Sequence, residues 1–292
     1  MNMAKHPIVS IVKATDITAS IDLAVQLAGG LPIRAGDHVV IKPNAKNQSP
    51  SGYGIVTDIR VVERLIELSL RYNPEKVTIA EGAAYPTGAY DTFAAYDAIG
   101  LTKIAKKWGV DLVDLNDYRS IEVPIHKGLV LDWIRVGKCV RDADVVINVP
   151  VLKSHLQTLL SACIKNMSIG CATREEKKRI HRLGIDEGIV DVYPVVKPHF
   201  NVVDAIVALE GDGPNLPPGK ANPLNLIIAG ADGLAVDVVC AKLIGVNPQQ
   251  VRHLQLAEQQ GLGSLDLEEI TICGEQLDDV IQPFLLPSTF VP

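Results

Sequence analysis

Short apolar runs alternate with stretches of helical periodicity along almost the whole 292-residue chain. The apolar runs have the length and β-branched content of buried strands, and they span residues 8–12, 38–41, 76–80, 110–115, 145–149, 202–209, 224–229 and 269–273. The helical patterns span residues 20–27, 58–72, 87–108, 156–165, 233–244 and 248–260. Strands separated by helices imply right-handed βαβ crossovers. We therefore predict an α/β fold with a mainly parallel, doubly wound sheet, built as one domain over residues 1–292.

Two sections break this alternation. Residues 121–136 hold two extended pieces around Lys127-Gly128, a pattern typical of a β-hairpin at a sheet edge or in a small subdomain. Residues 168–198 are charged and helical where another strand would be expected, so we predict a helical cap or an interface arm there.

The composition disfavours several classes of protein. A net charge of -6 argues against a general nucleic-acid binder. The basic run at 174–182 is mixed with glutamates at helical spacing, which favours a solvated helix face. No apolar run is long enough to cross a bilayer, and the N-terminus lacks the features of a signal peptide. We expect a cytoplasmic protein that binds neither nucleic acid nor membrane.

The cysteines predict neither a disulfide framework nor a metal centre. They number five, no C-x-x-C occurs, and no Cys/His spacing is typical of zinc, so we expect no iron–sulfur cluster in this chain.

The segment 144–170 carries the most informative group of polar residues. A polar turn with Lys153 and His155 follows the strand predicted at 145–149, and the next helical pattern ends in Lys165 and Asn166. In open α/β sheets, ligands bind at the carboxyl edge of the strands. This order of elements therefore predicts an anion site, with His155 as general acid or base and Lys153 beside it.

Other predicted strands also end in polar residues, which we expect at the same edge of the sheet. Lys42 and Asn44 follow the strand at 38–41, and such cations and amides bind phosphate or carboxylate groups. Carboxylates that could hold a divalent ion are Glu81, Asp204 and Glu210. Asp237 lies in a very apolar helical pattern, where a carboxylate needs a partner.

Several well-known site motifs do not occur. The first strand is not followed by Gly-x-Gly-x-x-Gly, and no Walker phosphate loop or Gly-x-Ser-x-Gly elbow is present. Rossmann-type dinucleotide enzymes, P-loop ATPases and serine hydrolases are therefore disfavoured.

In the segment that carries Lys153, His155, Lys165 and Asn166, the chain resembles the family known as domain of unknown function 362. The segment VINVPVLKSHLQTLLSACIKNMSIG resembles the family's strand–Pro–x–x–Lys–x–His motif with its later Lys-Asn. Supporting matches lie at residues 39–46, 77–84, 201–214 and 229–237. Many relatives carry a ferredoxin-like module with two [4Fe–4S] clusters. Since this chain has no cysteine cluster, the resemblance implies that any electron transfer would need a redox protein partner.

Three functions remain open from the sequence. The first is an enzyme that binds a small anionic ligand, with a divalent metal as an optional addition. The second is a non-catalytic accessory protein that holds a metallocofactor or its precursor for an iron–sulfur redox partner. The third is a structural interaction protein. The sequence does not predict the oligomeric state.

Overall fold

A computed structural model describes residues 6–83, 91–116, 119–214 and 219–290. The strands are β1 Ile8–Lys13, β2 His38–Pro43, β3 Lys76–Glu81, β4 Asp111–Asp114, β5 Ser120–Pro124, β6 Trp133–Gly137, β7 Val145–Val149, β8 Val151–His155, β9 Leu159–Ser161, β10 Phe200–Glu210, β11 Lys220–Asn222, β12 Leu226–Gly230 and β13 Thr271–Gly274. The helices are α1 Ile17–Leu27, α2 Ile59–Leu70, α3 Thr92–Ile99, α4 Leu101–Trp108, α5 Lys138–Asp142, α6 Cys163–Cys171, α7 Arg174–Leu183, α8 Ile185–Val192, α9 Gly233–Leu243, α10 Arg252–Gln259 and α11 Leu277–Val280.

Eleven of the described strands form one sheet, whose main path has the order β13-β1-β12-β10-β7-β2-β3-β4. Neighbouring strands on this path are parallel, except that β12 is antiparallel to both β1 and β10. This confirms the mainly parallel α/β sheet. The chain moves from β2 to β3 and β4 on one side, and β7 then adds to the other side of β2. The carboxyl ends of β2 and β7 therefore flank a topological switch point, where open sheets bind ligands.

Alternate residues of the strands face two separate cores, as the pleat requires. In β2, Val39 and Ile41 belong to a core with helices α1 to α4, while Val40 belongs to a core with α6, α8, α9 and α10. Helices therefore cover both faces, which confirms the doubly wound architecture. The same alternation places Lys42 on the face that carries α6.

The hairpin and the helical segment are both present. Strands β5 and β6 pair antiparallel in a sheet of their own. Helices α7 and α8 follow α6, and the Arg179 guanidinium of α7 lies 4.2 Å from the centre of the Trp133 ring of β6. The predicted hairpin and cap thus pack against each other.

The segment after Pro150 differs from the prediction of a polar turn followed by a helix over 156–165. It forms β8 and β9, and α6 begins only at Cys163. The 11-residue strand β10 extends past the end of β7, and β8 pairs with that extension. Leu159 has a φ of 60°, which no residue of a right-handed helix adopts. Such short apolar runs do not separate strand from helix by periodicity alone.

The helix predicted over 87–108 is also divided. Gly100 has a φ of 97° and separates α3 from α4. Residues 87–90 lie outside the described part of the chain. No helix among the described residues is long and apolar enough to span a membrane.

Candidate functional site

A cavity of about 640 Å³ opens at the carboxyl edge of the sheet, beneath α6 and α7. Its lining includes Asn44, Lys46, Glu81, Gly82, Lys153, His155, Lys165, Asn166, Gly170, Lys177, His181 and Pro214. Six residues predicted for the site, which come from separate parts of the chain, therefore share one cavity.

A buried ion pair forms the floor of the site at the ends of β2 and β3. The Lys42 ammonium lies 2.9 Å from a Glu81 carboxylate oxygen, and the two side chains are 0% and 3% exposed. The backbone N–H groups of Ala45 and Gly82 also donate to Glu81. Because all these donors hold the carboxylate, Glu81 is fixed in place at the switch point.

Lys153 is buried in strand β8 and does not lie in the exposed turn that the sequence predicted. It is 2% exposed, and its ammonium donates to the Asn44 side-chain oxygen and, at 2.6 Å, to the carbonyl of Ile55. Burial, followed by the repulsion of Lys46, lowers the pKa of Lys153 to about 7.

Helix α6 brings Lys165 and Asn166 to the cavity from its first turn. The Asp237 carboxylate of α9 accepts hydrogen bonds from the N–H groups of Cys163 and Ile164, at 2.6 and 3.0 Å. These N–H groups have no partner within α6. Asp237 thus has the buried partner that the sequence predicted, and it fixes the start of the helix that carries the site.

The Lys165 ammonium is held by a neutral group, the Thr158 hydroxyl, at 2.9 Å. Burial lowers the pKa of Lys165 well below its ordinary value. The Asp186 carboxylate opposes this shift, and the neighbouring Lys46 and Lys153 add to it. Asn166 is oriented from behind, since its amide donates to the Asn148 side chain at 2.7 Å.

Three lysines of the cavity lining, Lys46, Lys177 and Lys178, were missed by the sequence reasoning. Lys46 donates to the carbonyl of Pro214 at 3.0 Å. Lys177 donates to the Gly82 carbonyl at 2.7 Å and to the Asn116 side chain at 2.8 Å. Burial lowers the pKa of Lys177 to about 8. Lys177 belongs to the basic run that we expected to be solvated, yet it is only 5% exposed. The one signal in the sequence was its spacing, with Ile180 three residues later on the same helix face.

Two histidines complete the lining. His155 is partly buried, and its Nδ1 accepts a hydrogen bond from the N–H of Gln157, which leaves the proton on Nε2. Burial, followed by repulsion from Lys165, lowers the pKa of His155 well below its ordinary value. Burial also lowers the pKa of His181. His155 is therefore neutral at physiological pH.

The charges in the cavity do not balance. Among the described residues, no carboxylate lies within salt-bridge distance of Lys46, Lys153, Lys165 or Lys177, and Glu81 is the one carboxylate of the lining. Glu81 is already paired with Lys42. Among the described residues, the ammonium groups of these four lysines therefore contact only neutral oxygens.

The remaining predicted carboxylates lie outside the cavity lining. Asp204 accepts the N–H of Asp58 at 2.7 Å, and burial raises its pKa to about 7. Glu210 accepts from Asn222 at 2.9 Å at the far end of β10. The described residues contain no cluster of three His, Cys, Asp or Glu side chains suited to a metal ion, so Glu81, Asp204 and Glu210 do not come together as one.

Comparison with known proteins assigns this chain to a family. The chain is 25% identical over 295 residues to a thylakoid-associated protein of Synechocystis sp.. The aligned region covers 96% of this chain and 86% of that protein. Two solved structures superpose at 12% identity and cover 83% of this chain: a Thermotoga maritima protein, with a TM-score of 0.48, and the lactate racemase apoprotein of Thermoanaerobacterium thermosaccharolyticum, with 0.43. This chain spans 58% of each of those two chains. Residues 39–242 match the family described as domain of unknown function (DUF362), and the chain belongs to that family.

Proposed function

We propose that the cavity binds a small molecule with a phosphate or carboxylate group, and that the protein is an enzyme acting on this ligand. The observation that carries the proposal is the convergence of Lys46, Lys153, Lys165 and Lys177 on one cavity. Within the described part of the chain, the single carboxylate of its lining, Glu81, is already paired with Lys42. A buried cation without a counter-ion is costly, and a bound anion removes that cost.

The lowered lysine pKa values agree with a site that lacks its counter-ion. An anion favours the charged form of an amine, so binding should raise the pKa of Lys153 from about 7 and that of Lys177 from about 8. Protons are then taken up as the ligand binds. Affinity should consequently fall as the pH rises through these values.

Proton transfer is the chemistry that the cavity supports best. A group whose pKa lies near the operating pH is the most effective general acid or base. Lys153 has a pKa of about 7 in the anion-free protein, and the protonated form that a bound anion favours is suited to act as the general acid. His155 is neutral and carries its proton on Nε2, so it can donate a hydrogen bond to an oxygen that gains negative charge. A divalent metal is not part of this proposal, because the predicted carboxylates do not come together. The redox partner and the cytoplasmic location stay predictions.

Thermal unfolding in a panel of anions tests the binding. Phosphate, sulfate, succinate and citrate are compared with chloride at matched ionic strength. We expect at least one oxyanion to raise the melting temperature of the wild type and of the Lys103→Met variant, whose lysine is exposed on α4. The Lys165→Met variant should lose the shift. Equal melting temperatures across the panel would refute the anion site.

Proton NMR in D₂O tests the catalytic part. Each stabilising anion is incubated with the wild type and with Lys153→Met, and its carbon-bound hydrogen signals are followed. Exchange or conversion that needs Lys153 supports an acid–base enzyme. Unchanged spectra for every bound anion would mean that the protein binds anions without acting on them, and would refute the proposal that it is an enzyme.

A further inference from the structure

We infer that the ligand carries two separate anionic groups, a phosphate at one end and a single carboxylate at the other. The inference rests on the proposed function and specifies its ligand. It follows from the uneven distribution of cations between two ends of the cavity, which we call the basic end and the Glu81 end.

The basic end consists of Lys46, Lys153 and Lys165. Their ammonium groups contact neutral oxygens of Asn44, Ile55, Pro214 and Thr158. An ammonium group has three donor hydrogens, and these contacts use one each at Lys46 and Lys165 and two at Lys153. At least one donor of each lysine thus remains for a ligand. Three cations suit a phosphate group, whose charge is roughly -1.5 to -2 near pH 7.

The Glu81 end consists of Lys42, Glu81 and Lys177. Lys42 and Glu81 neutralise each other at 2.9 Å, and Lys42 is fully buried. Helix α7 also contributes Lys178 and Arg182 to the lining, but Lys178 pairs with Glu175 at 2.8 Å and Arg182 follows Lys177 by more than one helical turn. Among the described residues, Lys177 is the α7 cation that contacts the residues just after β3. A single cation beside a neutralised pair suits a single negative charge, such as that of a carboxylate.

Gly82 keeps room for Lys177 at this end. A Cβ atom on Gly82 would lie 2.6 Å from the Lys177 ammonium nitrogen and 3.0 Å from the Asn116 side-chain oxygen. Any side chain at this position would push Lys177 away from its two acceptors. The absence of a side chain at the end of β3 thus permits the second cation.

The two ends lie on different sides of strand β2, because Lys177 contacts the Gly82 carbonyl just after β3 whereas Lys153 extends from β8. Glu81 ends β3, while Lys153 lies on β8, which continues β7 after Pro150. Strand β2 separates β3 from β7, which puts their backbones roughly 9–10 Å apart. A ligand that reaches both ends needs a short carbon chain between its anionic groups. Phosphorylated small carboxylic acids have this form.

Isothermal titration with a matched pair of ligands tests the inference. 3-Phosphoglycerate carries a phosphate and a carboxylate, whereas glycerol 3-phosphate has an alcohol in place of the carboxylate. We expect 3-phosphoglycerate to bind the wild type at least about tenfold more tightly, the effect of one lost charged contact. The Lys177→Met variant should bind both ligands equally, with unchanged affinity for glycerol 3-phosphate. Gly82→Ala should also reduce the difference in affinity between the two ligands, because its side chain would displace Lys177.

Two further variants separate the outcomes. Lys165→Met should weaken both ligands by a similar factor, and the control Lys103→Met should weaken neither. Equal wild-type affinity for the two ligands, or a Lys177→Met variant that retains the difference, would overturn the two-group ligand while the anion site stands. Failure of phosphate, succinate and both probes to bind the wild type would instead overturn the anion site itself.

Discussion

Gly170 of α6 lies directly against Lys42 of β2: a Cβ atom on Gly170 would come within 2.2 Å of the Lys42 ammonium nitrogen. The same Cβ would lie 2.9 Å from a Glu81 carboxylate oxygen. Helix α6 can therefore cover the buried ion pair only because it has no side chain at this point. The close approach ties the helix that carries Lys165 to the strands that carry Lys42 and Glu81.

Replacing Gly170 by alanine should destabilise the protein by roughly 1–3 kcal/mol, the usual result of overpacking a core. In an open helix position the same change would stabilise by about 1 kcal/mol, so the sign of the effect is diagnostic. Urea unfolding measures it. A Gly170→Ala protein as stable as the wild type would show that Lys42 does not occupy this position.

The Glu81→Gln variant should lose roughly 3–5 kcal/mol of unfolding free energy, because it leaves the Lys42 charge buried without compensation. Glu63→Gln is the matched control, since Glu63 pairs with Lys107, whose side chain is 61% exposed. That partly exposed pair should contribute under about 1 kcal/mol. Similar losses in the two variants would argue against a desolvated pair at the site.

Lys153 should make the stability of the anion-free protein depend on pH. Its pKa of about 7 in the folded state is below the ordinary lysine value of 10.5, so the unfolded state binds more protons between these limits. Stability should rise with pH from about 7 upward, by up to about 1.4 kcal/mol per pH unit for this group. Lys153→Met should lack this component of the slope.

Unfolding free energies at pH 6, 7, 8 and 9, in buffers without oxyanions, measure the effect. Titrating groups far from Lys153 contribute equally in both proteins and cancel in the comparison. Lys165 and His155, whose pKa values Lys153 lowers, contribute a part of the difference. Parallel curves for wild type and variant would mean that Lys153 keeps an ordinary pKa, and the proton-transfer role would lose its support.

Asp237→Ala should loosen the first turn of α6. The variant leaves the buried N–H groups of Cys163 and Ile164 without their acceptor, at a cost of roughly 1–3 kcal/mol. Hydrogen exchange of these two amides should accelerate, and anion binding should weaken because Lys165 follows them. In the control Asp232→Ala, exchange should accelerate at Leu234 and Ala235 of α9 instead. Unchanged protection in α6 would contradict the capping role.

The fold could be predicted from the sequence because burial on both faces leaves a clear pattern. The centres of β2, β3 and β7 are rich in buried valine and isoleucine, and helices α2 and α4 each bury one apolar face. The structure of the segment after β7 could not be predicted from such a pattern. Val151 to His155 pairs with the extension of β10, more than 50 residues later, and that pairing leaves no local signal.

The site could be predicted only in part, for a related reason. Lys42 and Lys153 were found because they follow predicted strands whose ends converge, although the structure places Lys42 within β2 and Lys153 within β8. Lys177 reaches the cavity from α7, and whether a lysine on a charged helix is solvated depends on what covers it. Asp204 lies in the middle of β10 and Glu210 at its end. Backbone N–H groups donate to Asp204 and the Asn222 amide donates to Glu210, both outside the cavity lining.

A crystal of the protein grown with selenate is the sharpest test of the anion site, because selenate is a tetrahedral oxyanion like phosphate and selenium scatters anomalously. We expect an anomalous peak inside the cavity, within hydrogen-bond distance of at least two of Lys46, Lys153 and Lys165. The peak should be absent in Lys165→Met crystals grown in the same way. Selenate bound only at the outer surface, with no peak among these lysines, would show that the cavity is not an anion site.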